Sequence, residues 1–154
     1  MNDLLRELQE TFYHEIPITQ HLGIRADSYD GEHLILKAPL ENNINHKQTA
    51  FAGSLNALAT LAGWGEIWLI LRALGIPNQV VIQDSTSEFL RPVKSDFFAS
   101  CRKPNSTQVA RIESSLKKKG KARVELTSEI YTELHDDNAV AMRFKGRYVI
   151  FLQQ

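Results

Sequence analysis

The chain has a single cysteine, Cys101, among 154 residues, so neither an intramolecular disulfide nor a cysteine-based metal cluster can form. An excess of one charge is also missing, because 18 Lys and Arg residues balance 18 Asp and Glu residues. This balance argues against a nucleic-acid binder that relies on a strongly basic face. The N-terminal residues carry acids where a signal peptide needs a basic region and an apolar core, which predicts a cytoplasmic protein.

Sequence motifs of nucleotide, metal and serine-nucleophile chemistry are absent too. There is no Walker loop or dinucleotide-binding G-x-G-x-x-G, and the five histidines are scattered without metal-ligand spacing, so neither a metal nor a cofactor is expected. Ser54 follows Gly53 but lacks the second glycine of a G-x-S-x-G elbow, which favours a helix-capping role. Cys101 alternates within a short apolar strand, which favours packing over a nucleophilic role.

One stretch, residues 42–75, differs from the rest of the chain. It begins with polar turn formers and continues through more than twenty mostly apolar residues, and Gly75 and Pro77 follow where a helix would end. The apolar part is long enough to cross a bilayer, but the charges of Glu66 and Arg72 make a membrane span unfavourable. We therefore predict one buried helix in a protein without a membrane span.

Two features inside this helix lead to further predictions. Gly63 and Gly65 flank Trp64, and such small residues allow a helix to pack closely against its neighbours. Glu66 lies roughly 120° around the helix from Thr60 at 100° per residue, so the two side chains occupy different faces. For Glu66 we predict an ion pair with Arg72 or with a strand residue.

The remaining segments are short and mostly alternate between apolar and polar residues. We predict a first helix that Asp3 caps and Pro17 ends. Before the lysine-rich run at 117–121 we expect one or two helical turns, and a solvated loop is favoured over a phosphate site for the run itself. Strands are predicted at 22–29, 33–38, 80–93, 97–102, 122–130 and 140–150, with hairpin turns at Asp30-Gly31 and Asp136-Asp137-Asn138, the last two strands being adjacent.

This order of elements predicts the fold class. Consecutive strands joined by short turns form an antiparallel sheet, and a very apolar helix has to be covered by the concave face of that sheet. We therefore predict a single α+β domain over residues 1–154, with five or six antiparallel strands wrapped around one long helix.

Three segments carry a resemblance to a known family. Residues 45–55, NHKQTAFAGSL, and residues 59–65, ATLAGWG, resemble the signature of the YiiD C-terminal thioesterases, which belong to the hotdog-fold superfamily. Residues 84–92, DSTSEFLRP, are similar to the third strand of that superfamily. The resemblance extends over nearly the whole chain and implies a hotdog fold and acyl-thioester hydrolysis.

Related hotdog thioesterases carry the pattern N-x-x-G-x-x-H-G-G, followed on the helix by an acid. Asn45 matches the asparagine of this pattern and Ala52-Gly53 stands for the glycine pair. Three positions depart from it: Gln48 replaces the first glycine, Phe51 the histidine and Thr60 the acid. The departures leave the attacking water without the acid that the pattern supplies.

The matching residues predict how a thioester carbonyl would be bound. That carbonyl gains negative charge as water attacks, and a helix N-terminus presents unpaired N–H groups and a favourable dipole. We predict that the backbone N–H groups of Phe51, Ala52 and Gly53, together with the Asn45 amide, stabilise this charge. The residues alone support equally well that Asn45 is a turn residue that caps its own loop.

Candidates for activating the water are less clear from the sequence. Thr60 is too weak an acid to act as a base, although its hydroxyl can hold a water; equally, it can bond the carbonyl one turn back. Asp84 is the better candidate for the general base, because it is an acid within an apolar strand. The sequence supports equally well a structural role in which Asp84 is paired with a neighbouring residue. Glu66 is a weaker candidate.

The predicted function is a cytoplasmic acyl-CoA or acyl-carrier-protein thioesterase of fatty acid metabolism that uses direct water attack and no cofactor. Phe51 and the acyl-pocket candidates Trp64, Trp68 and Phe89 line an acyl tunnel in this hypothesis, whereas core packing explains them equally well. The resemblance implies a homodimer or tetramer with sites at the subunit interface. The alternative is a non-hydrolytic acyl-thioester binding or regulatory module, and a dehydratase ranks last.

Overall fold

The computed structural model describes residues 2–132 and 140–153. The predicted turn at Asp136-Asp137-Asn138 lies outside these ranges. Within them the chain forms helices α1 (Asp3–Glu15), α2 (Ile18–Leu22), α3 (Ala52–Leu74) and α4 (Ser106–Lys119), and strands β1 (Arg25–Tyr29), β2 (His33–Ala38), β3 (Asn78–Phe89), β4 (Phe97–Arg102), β5 (Lys121–Tyr131) and β6 (Val140–Leu152).

The described strands form one sheet in the order β1-β2-β4-β5-β6-β3, and all neighbouring strands are antiparallel. The long helix α3 packs against this sheet and contacts β2, β3, β4, β5 and β6. The predicted α+β architecture, a long central helix wrapped by an antiparallel sheet, is therefore confirmed. The predicted adjacency of the last two strands, β5 and β6, is confirmed as well.

Helix α3 is the centre of the core. Most of its residues are buried, so its length and apolar composition reflect enclosure by the protein, although a helix of this kind would be long enough to cross a membrane. It ends where predicted, at Gly75 with a left-handed φ of 67°. A Cβ atom on Gly63 would collide with the Tyr148 ring, and one on Gly65 would meet Leu34, so the predicted close packing of helix and sheet is confirmed.

Two short helical features differ from the sequence prediction. Asn2, not Asp3, caps α1, because its Oδ1 accepts a hydrogen bond from Leu5 N at 2.8 Å. Pro17 ends α1 as predicted, but the chain then makes the extra helix α2, which the prediction had as loop and strand. Gly23, with a φ of 70°, ends α2 and leads into β1.

The segment before β5 is more helical than predicted. Asn105 and Gln108 form a capping box, and α4 then continues for 14 residues to Lys119. The prediction of a solvated loop for the lysine-rich run was wrong, since Lys117, Lys118 and Lys119 form the last turn of α4 and Lys121 begins β5. Positive side chains at a helix C-terminus are favoured by the helix dipole, which explains this position for the lysines.

Among the described strands, β3 forms one edge of the sheet and pairs only with β6. It covers residues 78–89, not the predicted 80–93, and nearly all of its residues are exposed on both faces. The large apolar side chains Val81, Ile82 and Phe89, and Leu90 just beyond the strand, are among those exposed. A long edge strand with exposed apolar residues is a template for pairing with another strand.

Candidate functional site

The loop that leads into α3 is held by Asn43, which is buried. Its Nδ2 donates hydrogen bonds to the carbonyl oxygens of Leu22 at 2.9 Å and Pro39 at 2.7 Å. Its own carbonyl accepts a hydrogen bond from Phe51 N at 2.7 Å. Asn43 thus fixes the start of α3 against the end of α2 and the residue that follows β2.

Asn45 organises the loop itself. Its Oδ1 accepts hydrogen bonds from Lys47 N at 2.8 Å and Thr49 N at 3.2 Å, and its Nδ2 donates to Thr49 Oγ1 at 2.9 Å and to Ala50 O at 3.5 Å. These contacts are those of a loop-capping residue. Asn45 is also half-buried at the edge of a cleft, so its amide remains close to the place where a ligand would lie.

Gln48 lies in the same loop and has a φ of 63°, the left-handed conformation that favours glycine. The superfamily pattern has its first glycine at this position. The backbone of Gln48 therefore keeps the conformation that a glycine would adopt, even though the side chain differs. This agreement supports the alignment of Asn45 and Ala52-Gly53 with the pattern.

A cleft of about 390 Å³ opens beside this loop and the first turn of α3, and we call it the thioester cleft. It is large enough for part of a small-molecule ligand. Three predicted residues line it, namely Asn45, Ala52 and Phe89. The other lining residues are Ala50, Leu55, Leu90, Arg91, Pro92 and Val93.

Arg91 is the residue of this cleft that sequence reasoning missed. The Ala141 carbonyl accepts hydrogen bonds from the backbone N–H groups of Leu90 and Arg91, which fixes the chain beyond β3. The exposed Arg91 side chain makes no ion pair within residues 2–132 and 140–153. It lies inside the segment 80–93 that the sequence predicts as a strand, and its charge directly before Pro92 is visible in the sequence.

The amide donors at the start of α3 are not equivalent. The Phe51 N–H already donates to the Asn43 carbonyl, so it is occupied. The N–H groups of Ala52 and Gly53 belong to the first helical turn and have no hydrogen-bond partner in the described part of the chain. Of the three predicted backbone donors, these two are free to bind an oxyanion.

Thr60 and Asp84 lie outside the thioester cleft of their own subunit. Thr60 Oγ1 donates to the Asn56 carbonyl at 2.7 Å, the bond one turn back that the sequence left as an alternative. The Asp84 side chain is 58% exposed and forms an ion pair with Arg147 at 3.4 Å. Asp84 and Phe89 are five residues apart on β3, which corresponds to roughly 17 Å.

The aromatic candidates are spread over three environments. Phe51 is 56% exposed and its ring covers Gly53. Trp64 Nε1 donates to the Val80 carbonyl at 3.3 Å, and its ring packs against Phe12 with centroids 5.7 Å apart. Trp68 lines a separate cleft at the other end of α3. Among the acyl-pocket candidates, only Phe89 borders the thioester cleft.

Glu66 is fully buried in the core, away from the thioester cleft. Its Oε2 accepts a hydrogen bond from Leu34 N at 3.2 Å, whereas Oε1 has no partner among the described residues. Burial raises the pKa of this carboxyl to about 8. The predicted ion pair with Arg72 was wrong, because Arg72 pairs with Glu7 on α1; the contact with a strand residue is a hydrogen bond to the backbone.

Cys101 is buried too, and desolvation raises the pKa of its thiol to about 12, which agrees with the predicted packing role. Within the two described ranges, no group of three or more His, Cys, Asp or Glu side chains is placed to hold a metal ion. The chemistry available at the thioester cleft is therefore that of amide donors, one cation and apolar side chains.

Comparison with known families assigns the chain. A family model described as "Putative thioesterase (yiiD_Cterm)" matches residues 5–152. The chain belongs to the YiiD C-terminal thioesterase family. The family is one of enzymes with the hotdog fold, so the resemblance carried by residues 45–55, 59–65 and 84–92 is confirmed.

Solved structures similar to this member of the family agree. A protein of unknown function from Chlorobaculum tepidum is 34% identical, with 97% of this chain and 95% of that chain covered and a TM-score of 0.92. The "putative thioesterase" of Shewanella oneidensis is 31% identical, with 99% and 100% covered and a TM-score of 0.86. A thioesterase from Haemophilus influenzae, 17% identical with 99% and 93% covered and a TM-score of 0.71, shares the fold.

Proposed function

We propose that the protein hydrolyses acyl thioesters of coenzyme A or of acyl carrier protein by direct attack of water. The observation that carries this proposal is the thioester cleft, which is lined by Asn45 and by Ala52, the first of the two residues with free N–H groups at the start of α3. The apolar side chains of Leu55, Phe89 and Leu90 at the same cleft suit an acyl group.

The chemistry follows from the direction in which charge develops. As water adds to the thioester carbonyl, the oxygen becomes negative, and the Ala52 and Gly53 N–H groups at a positive helix end stabilise that charge. The attacking water gives up one proton to solvent, and the tetrahedral intermediate then expels the thiolate of the carrier and leaves the carboxylic acid. The reaction forms no covalent intermediate with the protein and uses no cofactor.

The proposed active form is a homodimer, which can pair further into a tetramer. The free edge of β3 exposes unpaired backbone groups together with Val81 and Ile82 on one strand, and a second copy of the same edge satisfies both. Because a two-fold axis perpendicular to the sheet makes the paired edges antiparallel, the sheet continues from one subunit into the other. The thioester clefts then lie beside the subunit interface.

A panel of acyl-CoA substrates with a thiol-reactive dye tests the enzymatic proposal. Wild-type protein is expected to release free thiol, and Asn45→Ala is expected to lose this release. Because Asn45 also holds its loop, Lys47→Ala, which keeps the Asn45 side-chain contacts, serves as a folding and loop control. Tight acyl-CoA binding by wild-type protein without any thiol release would rule out the hydrolase.

A second candidate function is a non-hydrolytic acyl-thioester binding module. It is favoured by one observation: no carboxylate lines the thioester cleft within the described residues of one subunit. Thiol release by the wild-type protein separates the two candidates, and Asp84→Asn then tests whether Asp84 is the base of the hydrolase. A large loss of turnover with unchanged acyl-CoA affinity would support Asp84 as the base, and unchanged turnover would remove it from that role.

A further inference from the structure

A second cleft, of about 410 Å³, lies between α4 and the first half of β5. It exists because β4 pairs with β5 only at residues 128–131, so α4 instead of a strand lies beside the preceding part of β5. Two arginines line it, Arg111 from α4 and Arg123 from β5, together with Gln108, Ile112, Ser115, Ala122, Val124 and Glu125. We call it the arginine cleft.

The surroundings of this cleft are strongly basic in a chain without net charge. Six of the 18 Lys and Arg residues lie between residues 111 and 123, and the only acidic residue of this segment is Glu113. Lys117 pairs with Glu113, and the lysines at the end of α4 are explained by the helix dipole. Arg111 and Arg123 have no such explanation, since both are exposed and make no ion pair in the described chain.

The acid at this cleft does not neutralise the two arginines. Glu125 is held toward Lys145 at 3.9 Å, on the neighbouring strand β6. Two unpaired guanidinium groups beside one cleft are suited to phosphate groups, which arginine binds through paired, charge-assisted hydrogen bonds.

We propose that the arginine cleft binds the phosphate groups of coenzyme A, and that it serves the thioester cleft of the partner subunit. This inference rests on the proposed thioesterase function and on the β3-paired dimer. Coenzyme A carries its phosphates at the far end of the pantetheine arm, so a phosphate site is expected well away from the atoms that react.

Distances along the sheet decide between the same subunit and its partner. Phe89 at the thioester cleft and Asn78 are eleven residues apart on β3, so within one subunit the two ends of the strand are roughly 36 Å apart. The arginine cleft lies toward the Asn78 end, because Asn78 is paired with Leu152, and Leu152 N donates to the carbonyl of Gly120 at the start of β5. A subunit's own arginine cleft is therefore far from its thioester cleft.

Antiparallel pairing of two β3 edges over their whole length places Phe89 opposite Asn78 of the partner subunit. From Phe89, the start of the partner's β5 lies three strand spacings away, across the partner's β3 and β6, which is about 14 Å in total. The partner subunit's Arg123, three residues into β5, belongs to the same region. The dimer thus brings a basic cleft to the distance that a pantetheine arm has to cover.

Binding of desulfo-coenzyme A, measured by calorimetry, tests the phosphate site independently of turnover. We expect Arg111→Gln/Arg123→Gln to weaken binding about tenfold or more, because charge-assisted hydrogen bonds are lost. Arg25→Gln, an exposed arginine on the opposite edge strand β1, is the matched control, and Arg111→Lys/Arg123→Lys is expected to restore part of the affinity. Equal binding by wild type and the double glutamine variant would overturn the proposal, as would binding no tighter than that of inorganic phosphate.

Kinetics provide a second readout that distinguishes the two proposals. The double glutamine variant is expected to raise KM for acyl-CoA with little change in kcat, and to leave hydrolysis of the matching acyl-N-acetylcysteamine thioester, which lacks phosphates, unchanged. If no thioester is hydrolysed but desulfo-coenzyme A binding still depends on the two arginines, the hydrolase proposal fails and the phosphate site stands. If the double glutamine variant hydrolyses acyl-CoA with an unchanged KM, the phosphate-site proposal fails and the hydrolase proposal stands.

Mixed dimers test the assignment to the partner subunit. An Asn45→Ala subunit and an Arg111→Gln/Arg123→Gln subunit are co-expressed with different tags and purified as the heterodimer. If the arginine cleft acts across the interface, one intact site is regenerated, and we expect about half of the wild-type kcat with the wild-type KM. A heterodimer that keeps the raised KM would show that the cleft serves its own subunit or none.

Discussion

The backbone of Gln48 gives a prediction at the scale of a single residue. Its φ of 63° is costly for a residue with a Cβ atom, by roughly 1–2 kcal/mol, whereas glycine adopts it freely. Glycine also loses more entropy on folding, which offsets part of this gain. We expect Gln48→Gly to raise the free energy of unfolding by about 0.5–1 kcal/mol, measured by urea denaturation.

The neighbouring residue provides the control for this prediction. Lys47 is exposed and has no positive φ, so Lys47→Gly is expected to be neutral or destabilising. If both glycine variants change stability in the same direction and by the same amount, conformational strain at position 48 is not the reason. Turnover of the Gln48→Gly variant also shows whether a glycine in this loop affects the thioester cleft.

The buried carboxyl of Glu66 predicts a dependence of stability on pH. Burial raises its pKa from 4.5 to about 8 in the folded chain, against the opposing effect of the Leu34 N–H. The folded chain thus holds a proton that the unfolded chain releases between these two values. The free energy of unfolding is expected to fall as the pH rises through this window, by at most about 1.4 kcal/mol per pH unit, and to level off above it.

Glu66→Gln removes the titration and keeps an oxygen for the Leu34 N–H. Urea denaturation between pH 5 and 9 is expected to show a smaller loss of stability for this variant than for wild type. Glu10→Gln, at an exposed position on α1, is the control and should follow the wild-type curve. Parallel curves for Glu66→Gln and wild type would mean that Glu66 is charged in the folded protein at neutral pH.

Sequence reasoning at the residue scale worked best where a local rule has one outcome. Helix α3 packs closely against the sheet at Gly63 and Gly65 because these residues have no side chain. Cys101 is buried because it alternates with polar residues along its strand. Two other outcomes have a different origin: Arg91 has no ion-pair partner among the described residues, and Arg72 pairs with Glu7 instead of the predicted Glu66. Both depend on which elements meet in space, and local spacing carries no information on that.

At the scale of the secondary-structure element, the first turn of α3 allows a test of the proposed oxyanion donors. Ala52 is the first residue of the helix, a position where proline is well tolerated, and Phe51 before it is extended, with φ −65° and ψ 134°. Ala52→Pro therefore removes one N–H group with little disturbance of the helix. We expect a loss of roughly 100-fold or more in kcat for acyl-CoA hydrolysis, with thermal stability close to that of wild type.

Ala52→Ser keeps the N–H and is the matched control for this change. It should retain most of the activity, since the added hydroxyl projects from an exposed position. A proline variant with full activity would assign the oxyanion to other groups, such as the Asn45 amide. A proline variant that loses both activity and stability would indicate that the start of α3, and not the donor, had been damaged, and Asn45→Asp would then report on the remaining side-chain donor.

The helices and strands were largely predictable because the hydrophobic periodicity agreed with the positions of the glycine, proline and turn residues that end them. The apolar run of α3 ended at Gly75 as predicted, and β4 has the predicted bounds, since a turn precedes it and Pro104 follows it closely. The length of α4 was missed because its apolar positions are few and the lysines of its last turn were interpreted as a loop. Short α2 has too few residues for any period to be visible.

At the scale of the whole molecule, the sequence predicted the wrap of a sheet around a helix but not which strand would lie at the edge. β3 follows α3 in the chain and yet pairs with the last strand, β6, and such long-range pairing is not encoded in local patterns. The result is a twelve-residue edge strand with exposed apolar side chains. The length of β3 separates the thioester cleft from the arginine cleft within one subunit, and pairing of two β3 edges brings the two kinds of cleft together in the proposed dimer.

Interrupting this edge is the strongest test of the whole assembly. Ile82 is 38% exposed near the middle of β3, so Ile82→Lys introduces two like charges close to the proposed two-fold axis without disturbing the core. We expect light scattering to show a dimer or tetramer for wild type and a monomer for this variant. Thr127→Lys, at an exposed position on β5, is the control and should keep the wild-type mass. A monomeric wild-type protein, or an Ile82→Lys variant that still dimerises, would contradict pairing through β3.

The activity of the Ile82→Lys variant gives a second measurement of the same assembly. A folded monomer is expected to show a raised KM for acyl-CoA, because each thioester cleft then lacks the partner's phosphate site.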